Sequence, residues 1–236
     1  MATMRKSAIT AGVLFFVASA SYLAGSALVA SALQVPDYLQ KLNNDQIRVG
    51  VLLEFINSAA VVGIAVLLLP VLREYSESMA LGYAAARIME AVLLLGSGLS
   101  ALALVTLRDK SQGANATQFQ TLGVLLIGWY DLAFQLALVV LGAGSLLLCY
   151  ILYRFQLVPR PLAVLGFVGY LALIASGWLH LFGRDIGPVP FAPGAVFEIV
   201  FPLWLILRGI NASRSQLAEA GTVSPSLAAY ALRDTR

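Results

Sequence analysis

Long apolar segments, separated by short charged stretches, constrain the fold of this sequence more than any other feature. An α-helix needs about 20 mostly apolar residues to cross a bilayer, and the 236-residue chain has room for six such segments. Hydrophobic residues make up 60% of the chain and charged residues only 11%, whereas soluble domains carry roughly 25% charged residues. The sequence therefore predicts an all-α, polytopic transmembrane bundle of six helices and excludes an ordinary soluble domain.

The six predicted helices follow these apolar segments and place residues 1–212 in one transmembrane domain. They cover about residues 8–33, 49–72, 79–107, 119–153, 162–182 and 194–210. The first is longer than the apolar core of a secretory signal, about 7–15 residues, so we interpret it as a retained helix. The fourth is longer than one crossing needs, which indicates a tilt, a kink near Gly142 and Gly144, or an extension beyond the bilayer. Residues 213–236 are predicted to form a mobile cytoplasmic tail.

The basic residues outside the helices predict the orientation of the bundle. Nine of them lie on the side that holds both termini and five on the other side, while Arg87 lies inside the third helix. Both termini are therefore predicted to be cytoplasmic. The basic residues are scattered singly, without the dense patch that phosphate binding requires, so no nucleic-acid partner is expected.

Small residues recur inside the predicted helices. They lie at Ala84 to Ala86, Gly96, Gly98, Gly142, Gly144, Gly166 and Gly169. Helices in lipid associate through close packing, which small side chains allow. These positions therefore predict helix contacts rather than a functional motif.

Ionisable side chains inside the predicted helices are the second informative feature. A charge at the bilayer centre costs at least about 2.5 kcal/mol, so such residues usually face the bundle interior and have a partner. Six residues belong to this group: Glu54, Arg87, Glu90, Asp131, His180 and Glu198. On the third helix, Tyr83, Arg87 and Glu90 fall on one face, and their spacing lets Arg87 and Glu90 pair directly. On the other helices, Asn57 shares a face with Glu54, and Gln135 shares one with Asp131.

The predicted topology allows these groups to gather in the outer half of the bilayer. Four carboxylates against Arg87 leave about three negative formal charges, which require a bound cation, protonation or access to water. This favours a cavity for a small polar or cationic ligand, in which Arg87 holds an anionic group or neutralises Glu90. The candidate cavity residues are Glu54, Asn57, Tyr83, Arg87, Glu90, Asp131, Gln135 and Glu198. Trp129 and Tyr130 are candidates for either the aromatic belt or the cavity wall. In the alternative, the charges form an ion pair that only fixes helix register.

Three functions fit this pattern. The leading hypothesis is a non-enzymatic ligand-binding, sensory or transport component. The second is an intramembrane metal-dependent hydrolase, in which His180 with Glu198, Glu54 or Asp131 holds a metal that activates water. The third is an accessory or scaffold subunit whose polar cluster is purely structural.

The expected partners are the lipid bilayer, a small polar or cationic ligand, and a second copy of the chain or another membrane protein. No cofactor is expected, because the sequence has no phosphate-binding loop and no cofactor fingerprint. The only cysteine, Cys149, and the only histidine, His180, exclude a disulfide framework and the HExxH and CxxC metal motifs.

Four stretches of the chain resemble a bacterial membrane family known as domain of unknown function 4386. They are LLEFINSAAVVGIAVLLLPVLRE (Leu52 to Glu74), LGYAAARIMEAVLLLGS (Leu81 to Ser97), LVPRPLAVLGFVGY (Leu157 to Tyr170) and APGAVFEIVFPLWLILRGI (Ala192 to Ile210). Within them, the specific residues are Glu54 with Asn57, Arg87 with Glu90, the turn at Pro159 and Arg160, and Glu198 before Trp204 and Arg208. The resemblance implies a six-helix protein of the bacterial cytoplasmic (inner) membrane. It carries no established activity, so no catalytic residue is transferred.

Overall fold

The structure is a computed structural model that describes residues 2–33, 43–110, 116–184, 187 and 189–210. Over these residues the chain forms six long α-helices and one short 3-10 turn, Val189–Phe191, before the last helix. The helices are α1 (Ala2–Leu33), α2 (Asn44–Arg73), α3 (Glu77–Lys110), α4 (Ala116–Arg154), α5 (Arg160–Leu181) and α6 (Ala192–Leu207). Six helical segments are long and apolar enough to cross a membrane, with the 3-10 turn counted into the last. The predicted all-α transmembrane bundle is therefore confirmed, and the chain is a multi-pass membrane protein.

Local sequence signals explain where several helices begin. The side chain of Asn43 caps α2 by accepting a hydrogen bond from the backbone N–H of Gln46, at 3.3 Å. Proline lies in the first turn of both α5 and α6, where its missing N–H costs no helical hydrogen bond. Arg73 forms an ion pair with Glu77 across the short turn that joins α2 to α3.

Most of the helices extend beyond the apolar segments that predicted them, because the backbone hydrogen-bond ladder continues through flanking polar residues. The clearest case is α4, which is one continuous helix of 39 residues. At 1.5 Å per residue it is about 58 Å long, well beyond the roughly 30 Å hydrocarbon core. The predicted tail, residues 213–236, lies outside the described residues.

The six helices form a closed ring. Each helix packs against its neighbours in sequence, and α6 packs back against α1. At this closing contact the rings of Phe15 and Phe201 meet edge to face, with centroids 5.6 Å apart. A ring of this kind places the inner face of every helix around one central space.

Glycines let the backbones approach closely at two of these contacts. A Cβ added to Gly25 of α1 would lie 2.8 Å from the carbonyl oxygen of Gly50 in α2. A Cβ added to Gly169 of α5 would lie 2.5 Å from the backbone nitrogen of Gly194 in α6. Gly96 behaves differently, because a Cβ there would meet no atom within 4 Å. The predicted packing role therefore fits Gly169 and is wrong for Gly96.

Candidate functional site

A cavity of about 330 Å³ lies at the centre of the ring, and residues from all six helices line it. This volume is at the lower end of the range for small-molecule sites, about 300–1,000 Å³. Most of the wall is apolar. The main polar side chains in the wall are Tyr22, Asn57, Arg87, Glu90, Tyr170 and Glu198. The cavity thus combines a large apolar surface with one polar region.

Arg87 and Glu90 form the centre of this polar region. They lie three residues apart on α3, and Nη1 of Arg87 donates a hydrogen bond to Oε2 of Glu90 at 2.8 Å. Both residues are buried, with exposed fractions of 5% and 4%. The structure therefore contains the pair that their spacing predicts.

Arg87 uses little of its hydrogen-bonding capacity. A guanidinium group carries five N–H donors, and the hydrogen bond to Glu90 is the only one that Arg87 makes to the described residues. Its Nε is buried and has no hydrogen-bond partner in that part of the chain. Since an unsatisfied buried donor costs about 1–3 kcal/mol, the arrangement favours a water or ligand acceptor beside Arg87.

Glu198 completes the polar region from the opposite side of the ring. Tyr170 of α5 donates a hydrogen bond from its hydroxyl to Oε1 of Glu198 in α6, at 3.4 Å. Glu198 also interacts electrostatically with both Arg87 and Glu90. Arg87, Glu90 and Glu198 together carry a formal charge of −1, so the region favours a neutral or cationic group over an anion.

Glu54 belongs to a separate buried cluster that joins α2, α3 and α4. The hydroxyl of Tyr130 donates a hydrogen bond to Oε1 of Glu54 at 2.6 Å, and Ser97 donates one to the backbone oxygen of Tyr130 at 2.8 Å. Glu54 is buried and does not line the cavity. Tyr22 interacts electrostatically with Glu54 of this cluster and with Glu198 of the cavity.

Asp131 lies outside the cavity wall. Its Oδ2 is 2.9 Å from Nε2 of His180, and this contact joins α4 to the last turn of α5. The side chains of Asp131 and His180 are 49% and 34% exposed. The six ionisable residues therefore form three separate sets instead of one cluster.

The candidate residues divide evenly between the cavity wall and other places. Asn57, Arg87, Glu90 and Glu198 line the cavity, whereas Glu54, Tyr83, Asp131 and Gln135 do not. Tyr83 is only 1% exposed and interacts electrostatically with Arg87 from behind the wall.

The metal hypothesis lacks a ligand set in the part of the chain that the structure describes. Within those residues, no three His, Cys, Asp or Glu side chains come together in a group that could hold a metal ion. His180 contacts Asp131, while Glu198 and Glu54 contact Tyr170 and Tyr130.

Two tyrosines that line the cavity, Tyr22 and Tyr170, are not among the residues that the sequence predicts for it. Tyr22 lies in α1, which has no ionisable residue in its apolar part, and its ring stacks on Phe134 of α4 with centroids 5.6 Å apart. Tyr170 is surrounded by apolar residues in the sequence. The sequence offers one signal for them, which is a tyrosine hydroxyl inside an apolar helix. Such a hydroxyl needs a hydrogen-bond partner when it is buried. Of the two aromatic candidates beside Asp131, Tyr130 points inward to Glu54, and Trp129 is 62% exposed.

Comparison with other proteins places the chain in a family. No curated protein and no solved structure matches it. A family model described as a domain of unknown function (DUF4386) matches residues 10–209, which include all six helices in whole or in large part. The chain therefore belongs to the DUF4386 family.

Proposed function

We propose that this protein is a non-enzymatic membrane component that binds a small polar or cationic ligand in its central cavity. Binding of this kind serves a receptor, a sensor or a transporter. The proposal rests on one observation above the others, which is that Arg87 lines the cavity with a buried Nε that no described residue accepts from. A ligand in the cavity would supply an acceptor to the unused donors of the Arg87 guanidinium group. Glu90 and Glu198 would supply the negative charge that favours a cation.

The rival explanation is that Arg87 and Glu90 only fix the packing of α3. A structural pair is stabilised when its remaining donors find partners within the protein. Arg87 instead lines the cavity together with Asn57 and Glu198, and Glu90 is the only described residue that accepts a hydrogen bond from it. This distribution favours a binding role over a purely structural one.

The setting of the proposal is the bacterial cytoplasmic membrane, with both termini on the cytoplasmic side. The excess of basic residues, nine against five, on the side that holds the termini supports this orientation. A second copy of the chain or another membrane protein is a further expected partner.

Ethanolamine is a suitable first probe, because its ammonium group suits Glu198 and its hydroxyl can accept from Arg87. The experiment measures the melting temperature (Tm) of the purified protein in lipid nanodiscs as ethanolamine is added, with acetate as the anionic control. Binding to the native state raises Tm. We expect ethanolamine to raise Tm in a saturable way and acetate to have no such effect.

Two variants locate the binding. Glu198→Gln removes a carboxylate from the cavity, and Asp131→Asn makes the same charge change outside it. The ethanolamine concentration that gives half of the maximal rise in Tm should be at least tenfold higher in Glu198→Gln than in the wild type. In Asp131→Asn it should be unchanged. A response that is absent in the wild type, or equal in the two variants, would contradict the proposal.

A further inference from the structure

Two residues of the cavity wall indicate an opening toward the lipid between α1 and α6. These helices pack tightly at one level, where a Cβ added to Gly12 would lie 2.9 Å from the carbonyl oxygen of Pro202. Away from this contact, the cavity is lined by Leu23 of α1 and Ile199 of α6. Both side chains are also largely exposed, at 65% and 55%. Residues that line the cavity and also face outward mark a gap in the described part of the ring.

The position of this gap decides what can pass through it. Leu23 lies well inside α1, and Ile199 lies within the apolar segment of α6. Exposed apolar side chains at such positions face the hydrocarbon core of a bilayer rather than water. A molecule that enters here must therefore already be dissolved in the membrane.

The wall of the cavity suits the same class of molecule. Most of the side chains that line it are apolar, including Phe15, Phe134, Leu138 and Leu173. Arg87, Glu90 and Glu198, which interact electrostatically with one another, supply the charges of this mostly apolar wall. The composition of the wall therefore fits a molecule with an apolar body and one small polar headgroup.

We propose that the ligand is a single-chain amphiphile that enters from the bilayer through the gap between α1 and α6. This inference rests on the proposed binding function and specifies its ligand. The headgroup is neutral or cationic, because Arg87, Glu90 and Glu198 together carry a formal charge of −1, and it has an oxygen that accepts from the Arg87 guanidinium group. The cavity volume of about 330 Å³ is that of a site for a small molecule. A headgroup and a chain of several carbons fill this space, and a longer chain extends through the gap.

Three probes separate the contributions of chain and headgroup. N-decylethanolamine has the headgroup of ethanolamine and a ten-carbon chain, whereas decanoate has a similar chain and an anionic headgroup. Binding is measured from Tm in lipid nanodiscs at constant lipid concentration. We expect N-decylethanolamine to act at a concentration at least about tenfold lower than ethanolamine, because burial of each methylene is favourable. At tenfold above its Kd it should raise Tm by about 3–6 °C, and decanoate should give no saturable rise.

Two substitutions on α1 test the entrance. Leu23→Trp places a larger side chain in the gap, and Val13→Trp places the same side chain at another exposed position of α1 that does not line the cavity. In Leu23→Trp, N-decylethanolamine should no longer raise Tm, or should do so only at a concentration at least tenfold higher than in the wild type. In Val13→Trp its effect on Tm should be unchanged. This comparison also removes any general effect of the amphiphile on the bilayer.

The outcomes distinguish this inference from the proposed function. If ethanolamine binds but the decyl chain gives no gain, or if Leu23→Trp responds like Val13→Trp, the amphiphile and its lateral entrance are wrong and the polar site stands. If decanoate stabilises the protein as well as N-decylethanolamine does, the headgroup assignment is wrong. If neither ethanolamine nor N-decylethanolamine binds, both proposals fail.

Discussion

Removal of Arg87 should destabilise the protein far more than removal of the charge on Glu90. The reason lies in the third charged group of the cavity, Glu198, which interacts electrostatically with Arg87. In Arg87→Met, Glu90 and Glu198 are left together without a cation, and the formal charge of the region changes from −1 to −2. In Glu90→Gln the charge becomes zero, because Arg87 still faces Glu198.

These charges give the expected magnitudes. Breaking a buried ion pair by removing one partner costs about 3–5 kcal/mol, and Arg87 and Glu90 have side chains that are each only 6% exposed. We therefore expect Arg87→Met to lower the free energy of unfolding by about 3–5 kcal/mol. Glu90→Gln should cost no more than about 1.5 kcal/mol, because the amide oxygen of glutamine can still accept from Arg87.

The assay is reversible unfolding by SDS in mixed micelles, followed by tryptophan fluorescence. The double variant Arg87→Met/Glu198→Gln is the internal test, since removal of the second carboxylate should restore about 1–2 kcal/mol of the loss. An isolated Arg87–Glu90 pair predicts equal costs for the two single variants and no rescue. That result would refute the view that Arg87 serves a three-charge cavity.

Other predictions concern the helix contacts, the second polar cluster and the orientation. Gly169→Ala should lower the free energy of unfolding by about 1–3 kcal/mol, because the added Cβ would lie 2.5 Å from a backbone atom of α6. Gly96→Ala is the control, because its added Cβ would have no atom within 4 Å. It should be neutral or raise the free energy of unfolding by up to about 1 kcal/mol. Tyr130→Phe should cost about 1–3 kcal/mol in the same SDS assay, because it removes the hydrogen bond to Glu54. Tyr150→Phe makes the same change at a residue that is 45% exposed and should be neutral. Equal effects of the two variants would exclude a structural role for the Tyr130 hydrogen bond. A fluorescent protein fused to the C-terminus should be fluorescent in a bacterial host, and a C-terminal alkaline phosphatase fusion inactive; the reverse pattern would invert the predicted topology.

The number of helices was predictable because each crossing of a bilayer demands a long apolar segment, and such segments are visible in any single sequence. The pairing of Arg87 with Glu90 was predictable for a similar reason, since residues three apart on one helix are neighbours. Both features depend on local geometry alone. The closed ring of helices was not predictable, because it depends on the contact between α1 and α6.

The rotation of each helix about its own axis limited the prediction of the site. Successive residues on a helix point about 100° apart, so a small error in rotation replaces one neighbour by the next. Asp131 was expected in the cavity, but it contacts His180 outside the wall, and the adjacent Tyr130 reaches Glu54 instead. Packing between helices sets this rotation, and the pattern of charges in one sequence does not contain it.

The most direct test of the central claim is a density map of the protein in lipid nanodiscs, at a resolution that shows ordered water and ligands beside Arg87. The proposed function predicts density within hydrogen-bond distance of the Arg87 guanidinium group that belongs to no protein atom, located between Arg87 and Glu198. With N-decylethanolamine present, continuous density should extend from this point past Leu23 toward the lipid. A dry cavity in which every donor of Arg87 is bonded to protein atoms would contradict the claim and leave a purely structural ion pair.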